Sequence, residues 1–531
     1  MKIVQSPNIL NWYPFNKEQK VLEICNQSED LTRFLINRCA KVITISKTDE
    51  IDSINEKFNI ITLIGINEYE NINIENIIRK IENVLEPEGK ILMAVDNKFG
   101  LRFFAGNPEK ILDKKFESLI GYNNEKEKIE TYTKSNLEKI LNKIGYNIRF
   151  YYPLPDYKLP NVIFTDDQLP EYNSIDKYNP YYTEKSDIIF NEIDVFREIL
   201  KTDKNMFQFF ANSFLLEITK GECDKTYKYI SFNNIRKQEY QLITKISDAY
   251  VEKQEVNEKS IKHYESIKEN ILFLQEKGIK LVDYLEGQTI KSRYIEQKYL
   301  LNNILTEKLE QGQVEEFENI IDNYIKEITI DSYKENDYEK TIFGKYGIET
   351  EDKNIIQNLN FMRNGLWDMT FKNCFLIDNE FYFFDQEWNE PNLPVEYILY
   401  RSILYTISLR RFISIEKLFD KYNLRQYLQL FEKLDNKIQE QIRDNKVWEF
   451  YSQNHYFNID ETKQEVENLK LRSEAQQNEI INLNIRAEAQ QAENDNLKNE
   501  NAKLQEKVNE LQEQIDNTFI KKVKRTLKIK K

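Results

Sequence analysis

From Val466 to Ile515 one seven-residue register runs without a stutter. Val466, Ile480, Ala487, Asn494, Asn501, Val508 and Ile515 fall at a, and Leu469, Leu483, Leu497, Leu504 and Leu511 fall at d. Neither glycine nor proline occurs from 461 to 531. A helix cannot bury its own apolar seam, so residues 461–518 are expected to form a coiled coil that self-associates along it. Asn494 and Asn501 at a favour one register and a low oligomer number. Gln476 and Gln490 at d leave dimer and trimer open, and a long solvated single helix is the alternative. The last stretch, FIKKVKRTLKIKK (519–531), carries seven Lys and Arg and no acid. Ile520, Val523 and Leu527 share one helical face there, a pattern that suits an anionic membrane surface, each basic residue adding about 1 kcal/mol near it.

Ahead of the coil the pattern changes. Apolar runs at 21–25, 41–46 (KVITIS), 59–65 (NIITLIG) and 90–95 (KILMAV) read as buried parallel strands. Helical patterns at 28–38, 73–85 and 136–145 separate them, which predicts an α/β sandwich. Residues 152–184, rich in Pro, Tyr and Asp, read as a loop, and 209–220 as a last strand, closing a first unit at 1–222. A second unit, 226–455, opens with strand-like pieces (TYKYISF, QLITKIS, AYVEKQEV) and a helix at 258–277, then turns helical: a small β-rich lobe followed by a helical lobe.

Composition excludes several functions. The formal charge of −14 argues against bulk nucleic-acid binding. With only His263 and His455, a histidine-rich metal site is excluded. Cys25, Cys39, Cys223 and Cys374 form no CxxC pair and read as reduced thiols of a cytoplasmic protein. The N-terminus has no signal-peptide pattern, and no apolar run approaches the roughly 20 residues of a membrane span. The expected location is therefore cytoplasmic, peripheral at the inner face of the membrane through the basic tail.

Two stretches carry chemistry. In "WDMTFKN", Asp368 and Asn373 stand five residues apart, and "FYFFDQEW" places Asp385 twelve residues on, after an apolar strand. Phosphotransferases of the protein-kinase and aminoglycoside-kinase type use this spacing. Asp368 would orient or deprotonate an acceptor hydroxyl, while Asn373 and Asp385 would supply hard oxygens to Mg²⁺ on ATP. Lys253, in "AYVEKQEV", is the candidate for pairing the α and β phosphates, with Glu265 or Glu269 on the next helix as its ion-pair partner. No glycine-rich loop precedes it, since "YISFNNIRKQEY" has none. The alternative is a set of polar residues capping two hairpin strands. His263 is expected to pack within its helix.

The other stretch is "VLEICNQSEDLTRFL". Together with "NILNWYPF", "FNIITLIGINEYE", "LEPEGKILMAVDNKFGLRFFAG", "YYPLPDYKLPNVIFTDDQLP" and "FANSFLLEI" it resembles the class I S-adenosylmethionine-dependent methyltransferase domains of bacterial surface-polysaccharide clusters, over roughly residues 8–220. In that family the first strand ends in an acid followed by three spaced glycines. Glu23 matches the acid, while Cys25, Gln27 and Glu29 stand at the glycine positions, where side chains crowd a cofactor. Ser46 replaces the ribose-binding acid, with Asp49 a poor substitute, and the dozen residues before FNIITLIG cannot hold the usual helix and third strand. S-adenosylmethionine binding and methyl transfer are therefore doubtful, although Asn67-Glu68-Tyr69 and Asp96-Asn97-Lys98 still resemble the family's substrate side.

Residues 226–455 resemble the kinase-like domains fused to such methyltransferases. "DYLEG" (283–287) is similar to the strand and hinge between lobes, and "PVEYILYRSILY" (394–405) to the following helix. The whole order resembles bifunctional kinase–methyltransferases that terminate a surface polysaccharide. The fold class expected is α/β: a truncated methyltransferase-like (Rossmann-type) parallel sheet, a two-lobed kinase-like α+β domain, then an α-helical coiled coil spanning roughly 75 Å. What the resemblance implies is a transferase that modifies or terminates a surface polysaccharide or lipid-linked glycan beside a glycosyltransferase, with ATP and Mg²⁺ as cofactors. The alternative is a non-catalytic scaffold or length gauge recruiting glycosyltransferases to the membrane.

Overall fold

The computed structural model describes residues 6–24, 29–66, 71–109, 112–122, 129–172, 174–175, 188–444 and 459–528. Cys25 and Gln27, Asn67-Glu68-Tyr69 and His455 lie outside the described residues. The chain forms two units, Met1–Tyr456 and Phe457–Lys531.

The first unit is organised by one twelve-stranded sheet. Its strands are β1 Lys20–Ile24, β2 Lys41–Ile45, β3 Phe58–Ile64, β4 Leu85–Asp96, β5 Asn147–Leu154, β6 Val162–Thr165, β7 Ser213–Thr219, β8 Tyr229–Phe232, β9 Leu242–Ile246, β10 Tyr250–Glu255, β11 Asp283–Glu286 and β12 Thr289–Arg293. The order across the sheet is β11-β12-β10-β9-β8-β6-β5-β7-β4-β3-β1-β2. Strands β2, β1, β3 and β4 run parallel, and β7 enters antiparallel against β4. Alternate residues face opposite sides, as a strand period of two requires. Leu22, Ile24, Ile61, Leu63, Ile91 and Met93 pack into one apolar layer, and Val21, Ile60, Ile64, Leu92 and Ala94 into the other. Burial on both faces is why these strands read as nearly continuous apolar runs.

This N-terminal part is a Rossmann-type α/β sheet with a short connection at one edge. The connection from β2 to β3 holds a single 3₁₀ turn, Thr48–Ser53, and β2 is the last strand of the sheet. The stretch 152–184, expected as a loop, instead contributes strand β6 and the end of β5. Pro153 sits inside β5 opposite Ile163 of β6. Its prolines read as breakers, yet the adjoining Tyr151, Tyr152, Leu154, Val162 and Ile163 are all buried, and that burial holds the strand.

The β6–β8 pair carries the sheet without a break into strands β8 to β12. Helix Ile261–Glu276 packs on these through Ile267 and Ile271 beside Leu242 and Ile290. The rest of the unit is largely helical around one large apolar cluster, which includes Phe317, Tyr324, Phe371, Phe383, Tyr397 and Phe431.

The second unit is a single helix, Ile459–Lys528. Its seam residues, Leu469, Ile480, Leu483, Leu504, Val508, Leu511 and Ile515 among them, are exposed along its length. No helix among the described residues is long and apolar enough to cross a membrane.

Candidate functional site

Asp368, Asn373 and Asp385 are positioned by short, tightly packed elements. The two-residue strand Gly365–Leu366 pairs with Asn389–Glu390. A β-carbon at Gly365 would lie 2.2 Å from Cβ of Leu393, so only glycine lets the chain pass there. Asp368 follows, and the turn Phe371–Asn373 leads into a hairpin of Cys374–Ile377 with Glu380–Phe383. That hairpin closes through Asp378 and Asn379 at φ 52° and 63°, the left-handed pair a two-residue hairpin turn requires. Phe383 bonds by its carbonyl to Val282 N–H and by its N–H to the Lys280 carbonyl, each 2.9 Å. The exit of the hairpin thus reaches β11.

Asp385 sits at φ 61°, a left-handed conformation that costs a side-chain-bearing residue on the order of 1 kcal/mol. Its N–H donates to Oδ2 of buried Asp283 at 2.8 Å. This turn aims Asp385 at Lys253 of β10. Lys253 donates to Asp385 Oδ1 and, at 2.5 Å, to Glu387 Oε1. Arg236, from the β8–β9 loop, donates to the other Glu387 oxygen. His263 Nε2 stands 3.9 Å from that same oxygen, and its ring lies against Trp388 at 4.5 Å. His263 therefore faces the site as well as packing on its helix.

The Asp368 loop is fastened by its backbone. The Asp368 carbonyl accepts from Thr370 N–H at 2.7 Å, Asn373 Nδ2 at 3.0 Å and Gln386 Nε2 at 3.2 Å. Its carboxylate, on a residue only 8% exposed, receives no hydrogen bond among the described residues. Burial first, and then the like charges of Glu387 and Asp385, push this carboxyl up to about 7. Burial likewise pushes Asp283 up to about 6. Burial also opposes the charge on Lys253, but Asp385 and Glu387 outweigh it and raise the lysine's pKa. Glu387 is held well below the usual carboxylate range, because Arg236 and Lys253 overcome its burial.

Four expected residues, Lys253, Asp368, Asn373 and Asp385, thus meet in one place. Glu265 and Glu269 do not join them. Both are exposed, and Glu265 pairs with Lys268 at 2.8 Å. The helix Ile261–Glu276 turns His263, Ile267, Asn270 and Ile271 inward, which puts positions 265 and 269 on the outer face. The acid that does hold Lys253, Glu387, was missed. Its signal was its place two residues after Asp385 in "DQEW". Arg236 had no signal beyond being a cation in the loop before Lys253. Two cavities, of about 900 and 290 Å³, lie elsewhere and are lined by none of these side chains.

Asn373 and Asp385 fit magnesium by donor type, an amide oxygen and a carboxylate. No group of three or more His, Cys, Asp and Glu side chains among the described residues forms a metal cage. Mg²⁺ does not need one, because it retains waters and binds through one or two carboxylates plus phosphates.

The acids and hydroxyls near the end of β1 and β2 are engaged locally. Glu23 is buried, and its Oε2 accepts from Thr32 at 2.7 Å and Thr44 at 3.1 Å. The N–H groups of Ser46 and Lys47 donate to Glu50 Oε1 at 3.1 and 2.9 Å. Asp49 turns outward to Lys80 at 2.8 Å. At the end of β4, Asp96 and Asp156 each accept from Arg102 at 2.5 Å, and Asn97 donates to the carbonyls of Phe209 and Ala211 at 2.8 Å.

No family model matches the chain, and no curated protein matches it. Among solved structures it is similar to a SAM-dependent methyltransferase from Archaeoglobus fulgidus, with 12% identity and a TM-score of 0.22 over 40% of this chain and 95% of that one. It is also similar to the plantazolicin methyltransferase BpumL solved with SAH, with 12% identity and a TM-score of 0.23 over 41% of this chain and 80% of that one. The strand order, and not these scores, carries the fold assignment.

Proposed function

We propose that residues 226–455 transfer the terminal phosphoryl group of ATP to a hydroxyl of a cell-surface or lipid-linked glycan. One observation supports this above the others. The Asp368 carboxylate accepts no hydrogen bond among the described residues, on a largely buried side chain, while three bonds to its own carbonyl fix the loop that carries it. A capping residue would use its carboxylate on the turn. A base keeps it for a substrate.

The geometry supports the following roles. Asp368 accepts the proton of the acceptor hydroxyl as that oxygen bonds to the terminal phosphorus. The bond from that phosphorus to the bridging oxygen breaks, and ADP leaves. Lys253 holds the phosphates, exchanging part of its pairing with Asp385 for them. Magnesium, held by Asn373 and Asp385, would spread the charge of the phosphates. Methyl transfer is not part of the proposal, because Glu23 is engaged with two threonines and Asp49 with Lys80.

The remaining parts fit a membrane-side enzyme acting beside a glycosyltransferase. The long helix extends about 105 Å at 1.5 Å per residue. We take its exposed seam as the self-association element, and Ile520, Val523 and Leu527, exposed beside the basic residues, as the contact to an anionic membrane surface. Light scattering on the full chain and on a truncation at 460 should give different oligomer numbers. Equal numbers would remove the coil from that role.

The enzymatic reading is tested with γ-labelled ATP, Mg²⁺ and lipid-linked glycan from the producing cell. Label should move to glycan with the wild-type chain. Asp368→Asn should retain ATP binding and lose about 10²–10⁴-fold in transfer rate. Transfer unchanged in that variant would refute Asp368 as the base. No binding of Mg-ATP by the wild type would refute the phosphotransferase reading itself and leave the scaffold alternative.

A further inference from the structure

The β8–β9 loop lies beside the strand that carries Lys253, where a glycine-rich loop would cover nucleotide phosphates with its backbone N–H groups. It holds no glycine from Tyr229 to Leu242. Nor are several of its N–H groups available. Asn233 donates to the Leu242 carbonyl at 3.4 Å, Arg236 to Asn233 at 3.0 Å and Tyr240 to Lys237 at 2.9 Å. The loop is also pinned from outside. Lys237 N–H donates to the Ile442 carbonyl, and Asp444 N–H to the Ile235 carbonyl, each at 2.9 Å. These two bonds bracket Arg236 and fix its backbone.

The Arg236 side chain leaves this anchored point toward the site. Its guanidinium lies over the Trp388 ring at 5.3 Å and donates through Nη1 to Glu387 Oε2. Lys253 holds the opposite oxygen of the same carboxylate. Two cations therefore converge two residues from Asp385. They differ in access: the Lys253 side chain is 9% exposed and that of Arg236 26%. The Nε and Nη2 donors of Arg236 make no hydrogen bond among the described residues, and neither is sealed from solvent. A planar fork with free donors, reachable by a ligand and set next to the metal-type aspartate, matches a phosphate oxygen pair.

We propose that Arg236 is a phosphate-binding residue that does the work of the missing glycine-rich loop, contacting the β or γ phosphate of a nucleoside triphosphate while Nη1 stays on Glu387. The proposal rests on the phosphotransferase reading above. It deepens that reading by making triphosphate recognition depend on one side chain rather than on backbone N–H groups.

The test is calorimetric titration of the full chain with Mg-ATP and, separately, with adenosine, for wild type, Arg236→Lys and Arg236→Gln. Loss of a charge-assisted contact should weaken Mg-ATP binding about tenfold or more in Arg236→Gln. Adenosine affinity should stay within about twofold, since no phosphate is involved. Arg236→Lys keeps the charge without the fork and should fall between; if Arg236→Gln does not fold, it carries the comparison. Mg-ATP affinity unchanged in both variants would overturn the proposal while leaving the phosphotransferase reading intact. An equal loss for adenosine would also overturn it, by showing that Arg236 only holds the small lobe together. Absence of wild-type Mg-ATP binding would overturn both.

Discussion

The polar groups near β1 and those around Lys253 were both candidates for chemistry, and the protein treats them differently. At β1, Glu23 Oε2 accepts from Thr32 on the following helix, Glu29–Arg38, and from Thr44 on β2. Asp49, the nearest alternative acid, faces solvent with Lys80. Around Lys253 two cations and four acids from five separate segments are drawn together, and the carboxylate of one of them, Asp368, accepts no hydrogen bond among the described residues. Gathering like charges in a buried place opposes folding, so such an arrangement points to a task other than holding the fold. Polar groups paired with near neighbours point the other way. On the reading proposed above, the sheet at β1 serves as a scaffold and the second site as the reactive centre.

The largest expected effect, on transfer, comes from removing the Asp368 carboxylate. Beyond its loss of transfer, Asp368→Asn should be more stable than wild type above pH 7. A carboxyl pushed up to about 7 holds its proton more tightly when folded. Wild-type stability should thus fall as pH rises from the ordinary carboxylate range toward 7, and the variant should escape that fall by roughly 2–4 kcal/mol. Urea unfolding at pH 5 and pH 8 measures it, and a gap equal at both pH values would contradict the account. Transfer by the wild type should rise as pH passes through about 7, as the base loses its proton.

Lys253→Met removes no transferring group but should unfold the site more readily. Removing the cation leaves Glu387 buried with one partner fewer, which should cost about 3–5 kcal/mol of stability. A thermally unaltered variant would mean the cluster is looser than described. A smaller loss is expected from Glu23→Ala, which removes the acceptor of two threonine hydroxyls and the packing of a buried side chain, and should cost about 1–3 kcal/mol while leaving phosphoryl transfer unchanged. If instead transfer fell with Glu23→Ala at constant stability, the division between scaffold and reactive centre would fail. Asp49→Asn, at an exposed pair, should change neither stability nor transfer measurably, and a loss of either would give that surface a role it has not been assigned.

What the sequence made visible follows the same physical lines. Strands β1 to β4 were legible because burial on both faces writes an unbroken apolar run. The stretch around β6 was hidden by Pro153, Pro155 and Pro160, whose local preference is overridden by tertiary burial. Asp368, Asn373 and Asp385 were legible because their spacing is set by one hairpin and its flanking turns. Glu387 and Arg236 were not, because their roles depend on contacts across 134 and 151 residues of chain. Glu265 and Glu269 were assigned to Lys253 from the order of elements, whereas the choice between helix faces was made by packing of Ile267 and Ile271.

The most direct test is a paired calorimetric titration of one preparation with Mg-ATP and with S-adenosylmethionine. Saturable, magnesium-dependent binding of ATP that disappears in Asp385→Ala is expected, with no binding of S-adenosylmethionine at micromolar concentrations. Saturable S-adenosylmethionine binding, together with a chain that ignores Mg-ATP, would contradict this by reversing the roles of the two regions.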